Sequence, residues 1–416
     1  MNDPTVTPLS TGAVFAGVDW ASADHAVCVV DAAGAVLWRH TVAHSRAGLA
    51  RLTARLRELS VDRVGIERPD GPVVEALLGA GLRVAVVPPR QVKNLRSRYR
   101  GAGKDDRFDA YLLADTMRTD GHRYTDLTRD TAATTGLRAL VRARQDLVEI
   151  RVGLVNQLRH TLELAFPGAV GLFFDLHSPI ARAFLRRFPT AAQAAALDEG
   201  ALAAWLSAEG YSGRTPAAVF IDRLRTAPAG LTGIEADARR HITLALLASI
   251  DAIEDQAADL TRRIKESLAQ HPDAPIFTSL PRAGQIRAAA LLAEIGDARG
   301  RYPTADSLAA AAGACPVTFE SGKHRAVGFR YAADAKLRRA LTDFADDSRH
   351  ANTWAADIYT RARARARGMR HPHAVRVLAR AWTAVIWRCW QDNIPYDPAR
   401  HGALTRYLNQ DTATAA

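Results

Sequence analysis

Four carboxylates stand where divalent-metal chemistry would want them. Asp19 closes the apolar run Ala13-Val14-Phe15-Ala16-Gly17-Val18, and Glu67 closes a second, Val64-Gly65-Ile66. Asp106 and Asp109 lie in Lys104-Asp105-Asp106-Arg107-Phe108-Asp109-Ala110, directly after a strongly basic stretch. Short apolar runs of this kind read as strands, so each ends in an acid, and an acidic pair three apart shares one helix face. Hard oxygen donors gathered in this way suit Mg²⁺, with Mn²⁺ as the alternative, and point to phosphoryl chemistry on nucleic-acid strands. Each acid also has an ordinary reading. Asp19 could be a strand-end turn residue, Glu67 part of the polar turn Glu67-Arg68-Pro69-Asp70-Gly71, and the helix acids partners of the macrodipole. Asp105 and Asp109, four apart, would share a face as well, so the first member of the helix pair stays open. The combination of all four beside a basic segment favours a metal site.

For these carboxylates to meet, the chain around them must fold as an α/β unit. Residues 14–19, 26–30 and 36–42 read as three strands joined by short turns, an antiparallel meander. Leu49, Leu52, Leu56 and Leu59 recur at helical spacing. A fourth strand at 63–67, a short helix at 73–78 and a fifth strand at 84–87 follow, the last ended by Pro88-Pro89. The order β-β-β-α-β-α-β-α is that of the ribonuclease-H topology, in which the first strand is central and the fourth lies beside it. Asp19 and Glu67 can then converge. Arg83, Arg90, Lys93, Arg96, Arg98, Arg100 and Lys104 come next, with no acidic residue between positions 83 and 104. Such a run is commonly a solvated face or loop. Because it leads into the acidic helix, Arg90, Lys93, Arg96, Arg98, Arg100 and Lys104 are candidate phosphate contacts.

Beyond residue 128 the pattern turns helical. Leu140, Leu147 and Leu154 fall seven apart, flanked by Val141, Val148, Val155 and Leu162, a stripe wide enough for more than one neighbour. Residues 168–240 read as a small helical insert without recognisable chemistry. A cleaner seam follows at Leu246, Ile250, Ile253, Ala257, Leu260, Ile264 and Leu268, which could pair within the chain as a hairpin stalk or between subunits. The expected divisions are an α/β unit at 1–128, a coiled-coil stalk at 129–272, a mainly helical unit at 273–400 and a tail at 401–416. In the last unit Leu280-Pro281-Arg282-Ala283-Gly284 and the helix after it resemble a helix-hairpin-helix, whose turn offers backbone N–H groups to phosphate.

A loop then carries Ser321-Gly322-Lys323-His324-Arg325. By itself Ser321 reads as a turn serine. Its setting places a hydroxyl beside Lys323, His324 and Arg325, and a serine nucleophile needs a base or electrostatic stabilisation of developing charge. His324 is either that base or a surface residue. The net charge of +11 on 416 residues favours a polyanionic partner. The predominance of arginine suits phosphate recognition, although GC-rich coding also yields it. Three widely spaced cysteines, Cys28, Cys315 and Cys389, give neither a disulfide framework nor a zinc cluster. No leader-like N-terminus or membrane-length apolar run is found, so the expected location is cytoplasmic and associated with the bacterial nucleoid, without a membrane partner.

At this point the chain resembles the DEDD-motif transposases of bacterial insertion sequences, the bridge-RNA-guided recombinase family related to Piv-type DNA invertases. The matching segments are Gly17-Val18-Asp19, Gly65-Ile66-Glu67, Lys104 to Ala110, Leu291-Leu292-Ala293-Glu294-Ile295-Gly296-Asp297, Gly313-Ala314-Cys315-Pro316 and Ser321-Gly322-Lys323, with a C-terminal helix pattern at 376–387. The resemblance implies a RuvC-like, RNase H-like N-terminal domain whose tetrad is Asp19, Glu67, Asp106 and Asp109. It also implies a C-terminal transposase domain in which Ser321 becomes covalently linked to DNA. Double-stranded DNA (element ends and target), a bridge RNA and a homo-oligomer, dimer or tetramer, are the implied partners. Lys323 and Arg325 join the candidate nucleic-acid contacts. The family usually has a non-acidic residue where Asp105 stands, which favours Asp106, and glycine where Ala283 stands. The alternatives are a RuvC-like nuclease activating water and a non-catalytic nucleic-acid-binding scaffold.

Overall fold

The computed structural model describes residues 12–96, 105–322, 324–364 and 368–414. Two compact units emerge: Met1–Asp130 with Ala298–Pro303, and Thr131–Asp297 with Thr304–Ala416. The first unit is built on strands β1 (Val14–Trp20), β2 (Asp24–Val30) and β3 (Val36–Ala43), helix α1 (Arg46–Glu58), β4 (Val61–Ile66), α2 (Pro72–Gly79), β5 (Val84–Val86), α3 (Pro89–Arg96) and α4 (Asp106–Asp120). The sheet order is β3-β2-β1-β4-β5. β1 runs antiparallel to β2 and parallel to β4, with Gly17 opposite Gly65 and Val18 opposite Ile66. Asp19, the residue after Val18 in β1, therefore stands beside Glu67, the residue that follows β4.

Side-chain alternation along β1 decides which way Asp19 faces. Val14, Ala16 and Val18 join a buried core with Leu49, Leu52 and Leu56 of α1 and Val73, Val74 and Leu77 of α2. Phe15, Gly17 and Asp19 belong to the other face, against which α4 packs through Ala110, Leu113, Ala114 and Met117. Gly17 and Gly65 allow that helix its depth. A Cβ on Gly17 would lie 2.1 Å from the Ala110 carbonyl oxygen and 2.4 Å from the Ala114 nitrogen, and one on Gly65 would lie 2.8 Å from the Leu113 oxygen.

The basic stretch is not simply a loop, because Pro89 opens the helix α3, where proline's fixed φ and missing N–H are tolerated in the first turn. Lys93 and Arg96 are thereby on a helix packed against α4. Arg98, Arg100 and Lys104 lie outside the described residues, as does the side chain of Arg90.

The second unit opens with the long helix α5 (Ala132–Ala165). Helices α6 (Pro179–Arg187), α7 (Ala191–Ala195), α8 (Glu199–Ala208) and α9 (Ala217–Thr226) form the insert and bury Phe166, Phe173, Phe184 and Phe220 together. Helix α10 (Gly233–Ala269) returns antiparallel to α5. The Arg144 guanidinium donates to the Thr261 hydroxyl at 2.7 Å, and Arg151 pairs with Glu254 at 3.0 Å, so seven steps up one helix match seven down the other. Leu246, Ile250, Ala257, Ile264 and Leu268 are buried in this single chain, so the seam is used internally. Then come α11 (Ala274–Thr278), α12 (Gly284–Ile295), α13 (Ala305–Ala311), β6 (Val317–Ser321), β7 (His324–Gly328), α14 (Ala335–Ser348), α15 (Thr353–Arg363), α16 (His371–Asp392) and α17 (Gly402–Thr414). Helix α12 packs on α5 as well, a second neighbour for its wide stripe. The expected loop at 313–325 is instead largely a β-hairpin. Val317, Thr318 and Phe319 are good strand formers, and Gly322 takes the left-handed conformation its tight turn needs (φ 56°).

The glycine contact makes a prediction. Gly17→Ala puts a methyl into backbone atoms that cannot rotate away, so stability should fall by about 1–3 kcal/mol, read as a lower urea midpoint at unchanged slope. An unchanged midpoint would mean that α4 does not depend on this close approach.

Candidate metal centre and serine hairpin

Asp19, Glu67, Asp106 and Asp109 all line one open cleft of about 590 Å³, together with Trp20, Lys93 and Arg96. Carboxylate oxygens of Asp19, Asp106 and Asp109 lie within 4.8 Å of one another. Glu67 borders the same cleft without belonging to that tight group. Asp109 is almost fully buried, Asp19 and Glu67 are half-buried, and Asp106 is exposed. Asp105 lines the same cleft. Asp105 has extended backbone and caps α4, its carboxylate accepting from the Arg107 N–H at 3.2 Å, while Asp106 joins the cluster.

Among the described residues, one guanidinium is bonded to this concentration of negative charge. The Arg96 Nε donates to Asp109 at 2.7 Å, and a terminal guanidinium nitrogen donates to the other oxygen of the same carboxylate. This fork-on-carboxylate geometry gives strong charge-assisted bonds. Arg96 thus has a partner inside the cleft that the sequence did not disclose, since nothing in residue spacing links positions 96 and 109.

Charge crowding perturbs the acids. Burial, followed by repulsion from Asp109, Glu67 and Asp106, pushes the Asp19 carboxyl up to about 7, with Arg96 opposing the shift. Glu67 is also raised, first by burial and then by Asp109, again against Arg96. Carboxylates that resist ionisation in a cleft lined by oxygen ligands are suited to a hard divalent cation, which would replace the missing positive charge.

Ser321 belongs to the second unit. It ends β6 opposite His324, at the exposed tip of the hairpin, and no hydrogen bond joins the two side chains. Arg325 is exposed on β7, opposite Glu320. Lys323 lies outside the described residues. The turn before α12 carries Arg282 and Gly284 with left-handed backbone (φ 57° at each), and Arg282 and Arg287 both pair with Asp347, at 3.1 and 3.0 Å.

A transposase family model matches residues 16–167, the segment that contains all four acids, and a second, described as transposase of the IS116/IS110/IS902 family, matches residues 274–360. The mini-circle transposase named for IS117 in Streptomyces coelicolor is 33% identical over 403 residues, covering 93% of this chain and 96% of that protein. The chain belongs to the IS110/IS116 family of DEDD transposases. Another relative of similar extent is the uncharacterized 44.8 kDa protein of insertion element IS116 from Streptomyces clavuligerus, 31% identical over 400 residues, covering 93% of this chain and 96% of its own length. The uncharacterized 42 kDa protein of element IS900 from Mycobacterium paratuberculosis is 29% identical over 397 residues, covering 93% and 98%. Membership in a transposase family entails DNA as a partner and is consistent with use of a divalent metal at the acidic cluster. Among the described residues of this IS110-family chain, no helix is long and apolar enough to cross a membrane.

The raised Asp19 pKa fixes the sign of a pH effect. Between the usual carboxylate range and about 7 the folded, metal-free protein holds a proton that the unfolded chain has released, so stability falls as pH rises through that window. In EDTA, wild type should lose stability from pH 4 to pH 7 relative to Asp19→Asn, which should be the more stable protein above pH 7. Parallel urea midpoints for the two proteins across that range would contradict the assignment.

Proposed function

We propose that this transposase cleaves and rejoins the DNA strands of an insertion sequence with a metal-binding tetrad, Asp19, Glu67, Asp106 and Asp109, and a nucleophilic Ser321. The observation that carries this reading is the meeting of four carboxylates in one cleft, with Arg96 as the only cation bonded to them among the described residues. The strand order β3-β2-β1-β4-β5, with β2 antiparallel and β4 parallel to β1, supports an RNase H-like, RuvC-like fold for the first domain. The antiparallel α5 and α10 serve as a coiled-coil stalk, and the following helical region as the transposase domain.

Mg²⁺, or Mn²⁺ in its place, would be held by the four acids and would supply charge neutralisation at the scissile phosphate. The chain's own residues do the rest. Ser321 Oγ attacks phosphorus, forming a serine–phosphate ester as the bond from phosphorus to the 3′-oxygen breaks. The proton lost by Ser321 ends on that leaving oxygen, giving a free 3′-hydroxyl. His324, opposite Ser321 in the hairpin register, carries the proton in this proposal. Attack by a 3′-hydroxyl of a second duplex then reverses the step and frees Ser321, so the energy of the phosphodiester is conserved. Lys93, Arg325 and the basic segment bind the polyanion. The resemblance to bridge-RNA-guided recombinases extends the polyanion to RNA, and joining two duplexes calls for a dimer or tetramer in the bacterial nucleoid. With the α10 seam used internally, the half-exposed Ile150 and Val152 of α5 offer a surface for such assembly.

Incubation with labelled DNA from the element's ends, followed by denaturation, should leave label covalently attached to protein in the presence of Mg²⁺. The adduct should vanish in Ser321→Ala and fall by about 100-fold or more in Asp19→Ala, as for loss of a group that stabilises transition-state charge. Mg²⁺-dependent cleavage with no adduct would replace this reading with a water-activating nuclease, and binding with neither product with a scaffold.

A further inference from the structure

Several arginines of the helices that follow the serine hairpin are paired with carboxylates: Arg339 with Glu149, Arg349 with Asp346 and Arg380 with Asp306. Three others are not. Arg330, Arg338 and Arg376 make no ion pair among the described residues; at the base of the hairpin Arg338 and Arg376 lie over the ring of Phe329, and Arg330 is the next residue along the chain. The guanidinium carbon of Arg338 lies 4.7 Å from the Phe329 centroid and that of Arg376 lies 5.0 Å from it. The Nε atoms of Arg330 and Arg338 are both buried without a hydrogen-bond partner, although a terminal nitrogen of Arg338 donates to the Arg330 carbonyl at 3.4 Å.

The backbone is shaped to keep Arg338 there. Gly313 adopts φ 62°, and a Cβ at that position would meet the Arg338 Nε and Nη2 at 3.1 Å. The glycine of Gly313-Ala314-Cys315-Pro316 therefore leaves room for a guanidinium. Tyr331 stands beside the cluster, edge-on to Phe329 at 4.9 Å and 79% exposed. Like charges collected without a carboxylate, two of them with buried unused donors, are unfavourable in the protein alone. Burial and then the nearby Arg338 lower the pKa of Arg376, in keeping with a missing counter-charge.

We infer that Arg330, Arg338 and Arg376 form an anion site for a backbone phosphate of the DNA strand engaged by the hairpin. Guanidinium forks match phosphate oxygens, and the exposed Tyr331 offers a face for stacking at a strand opening. β6 places Ser321 four residues from Val317, so the hairpin tip and base are separated by roughly 13 Å at about 3.3 Å per residue. At about 3.4 Å of rise per phosphate on each strand, that is some four base-pair steps. The three arginines thus hold a phosphate away from the reacting one, and they are positioning residues. The choice of DNA rests on the proposed role of Ser321, whereas the anion site stands on its own geometry.

The test reads binding alone, in EDTA, with full-length protein and a 30-base-pair duplex of arbitrary sequence. The triple variant Arg330→Gln/Arg338→Gln/Arg376→Gln should reduce the slope of log affinity against log salt by about 0.9 or more, the loss of at least one phosphate contact. Arg338→Lys and Arg376→Lys should retain the slope. Single Arg376→Gln guards against a folding defect. Its melting temperature without DNA should equal or exceed that of wild type, because a like-charge contact is removed, and inorganic phosphate at constant ionic strength should stabilise wild type more than the variant. An unchanged salt slope in a folded triple variant, or an Arg376→Gln protein that melts lower while phosphate stabilises both equally, would overturn the site. A loss confined to a single-stranded RNA of equal length would overturn its assignment to DNA. An absent covalent adduct, by contrast, would bear on Ser321 and not on these binding results.

Discussion

Gathering carboxylates in a half-buried cleft is electrostatically costly, and the first unit is organised around that cost. Asp19, Asp106 and Asp109 come within 4.8 Å of each other, Glu67 borders the same space, and the fork of Arg96 is bonded to only one of them. The remaining imbalance is visible in the Asp19 carboxyl, which holds its proton up to about 7. Fold stability alone would favour spreading these acids apart. Their juxtaposition accords with the divalent cation proposed for this cleft.

Holding the acids together is a backbone problem before it is a side-chain one. Asp106 and Asp109 reach the end of β1 because α4 lies almost against the sheet, and it can do so because Gly17 and Gly65 present no Cβ to it. The same alternation that points Val14, Ala16 and Val18 into the opposite core turns Asp19 toward α4. Asp105 contributes differently: by capping the helix it fixes where the first turn begins, and hence where the next acid stands. A similar logic operates at Gly313 in the second unit, where an absent side chain makes room for Arg338.

Much of this was legible in the sequence because period and punctuation carry it. Short apolar runs ending in acids disclosed two of the strands, and the order of elements disclosed that these two would be neighbours. Helix α3 was obscured because Pro88-Pro89 reads first as the end of a strand, whereas Pro89 is also an acceptable first helical residue. The Arg96–Asp109 bond was invisible because it is a tertiary contact between residues whose types are each explained locally, one by a basic run and one by a helix N-terminus. Spacing could not separate Asp105 from Asp106, since both share a face with Asp109; only the capping geometry does. The hairpin bearing Ser321 looks like a loop in the sequence because its turn residues stand out more than the short strands beside them. The seam of α10 was legible as a seam, but its partner in the same chain was not, because internal and intersubunit packing have one sequence signature.

The central claim is that these particular acids form a divalent-cation site, and binding of Mn²⁺ to the full-length protein without DNA, followed by electron paramagnetic resonance, tests it most directly. Wild type and Asp105→Asn should bind alike, while Asp19→Asn and Asp106→Asn should bind at least tenfold more weakly. Equal binding by wild type and Asp106→Asn, or selective loss in Asp105→Asn, would contradict the account.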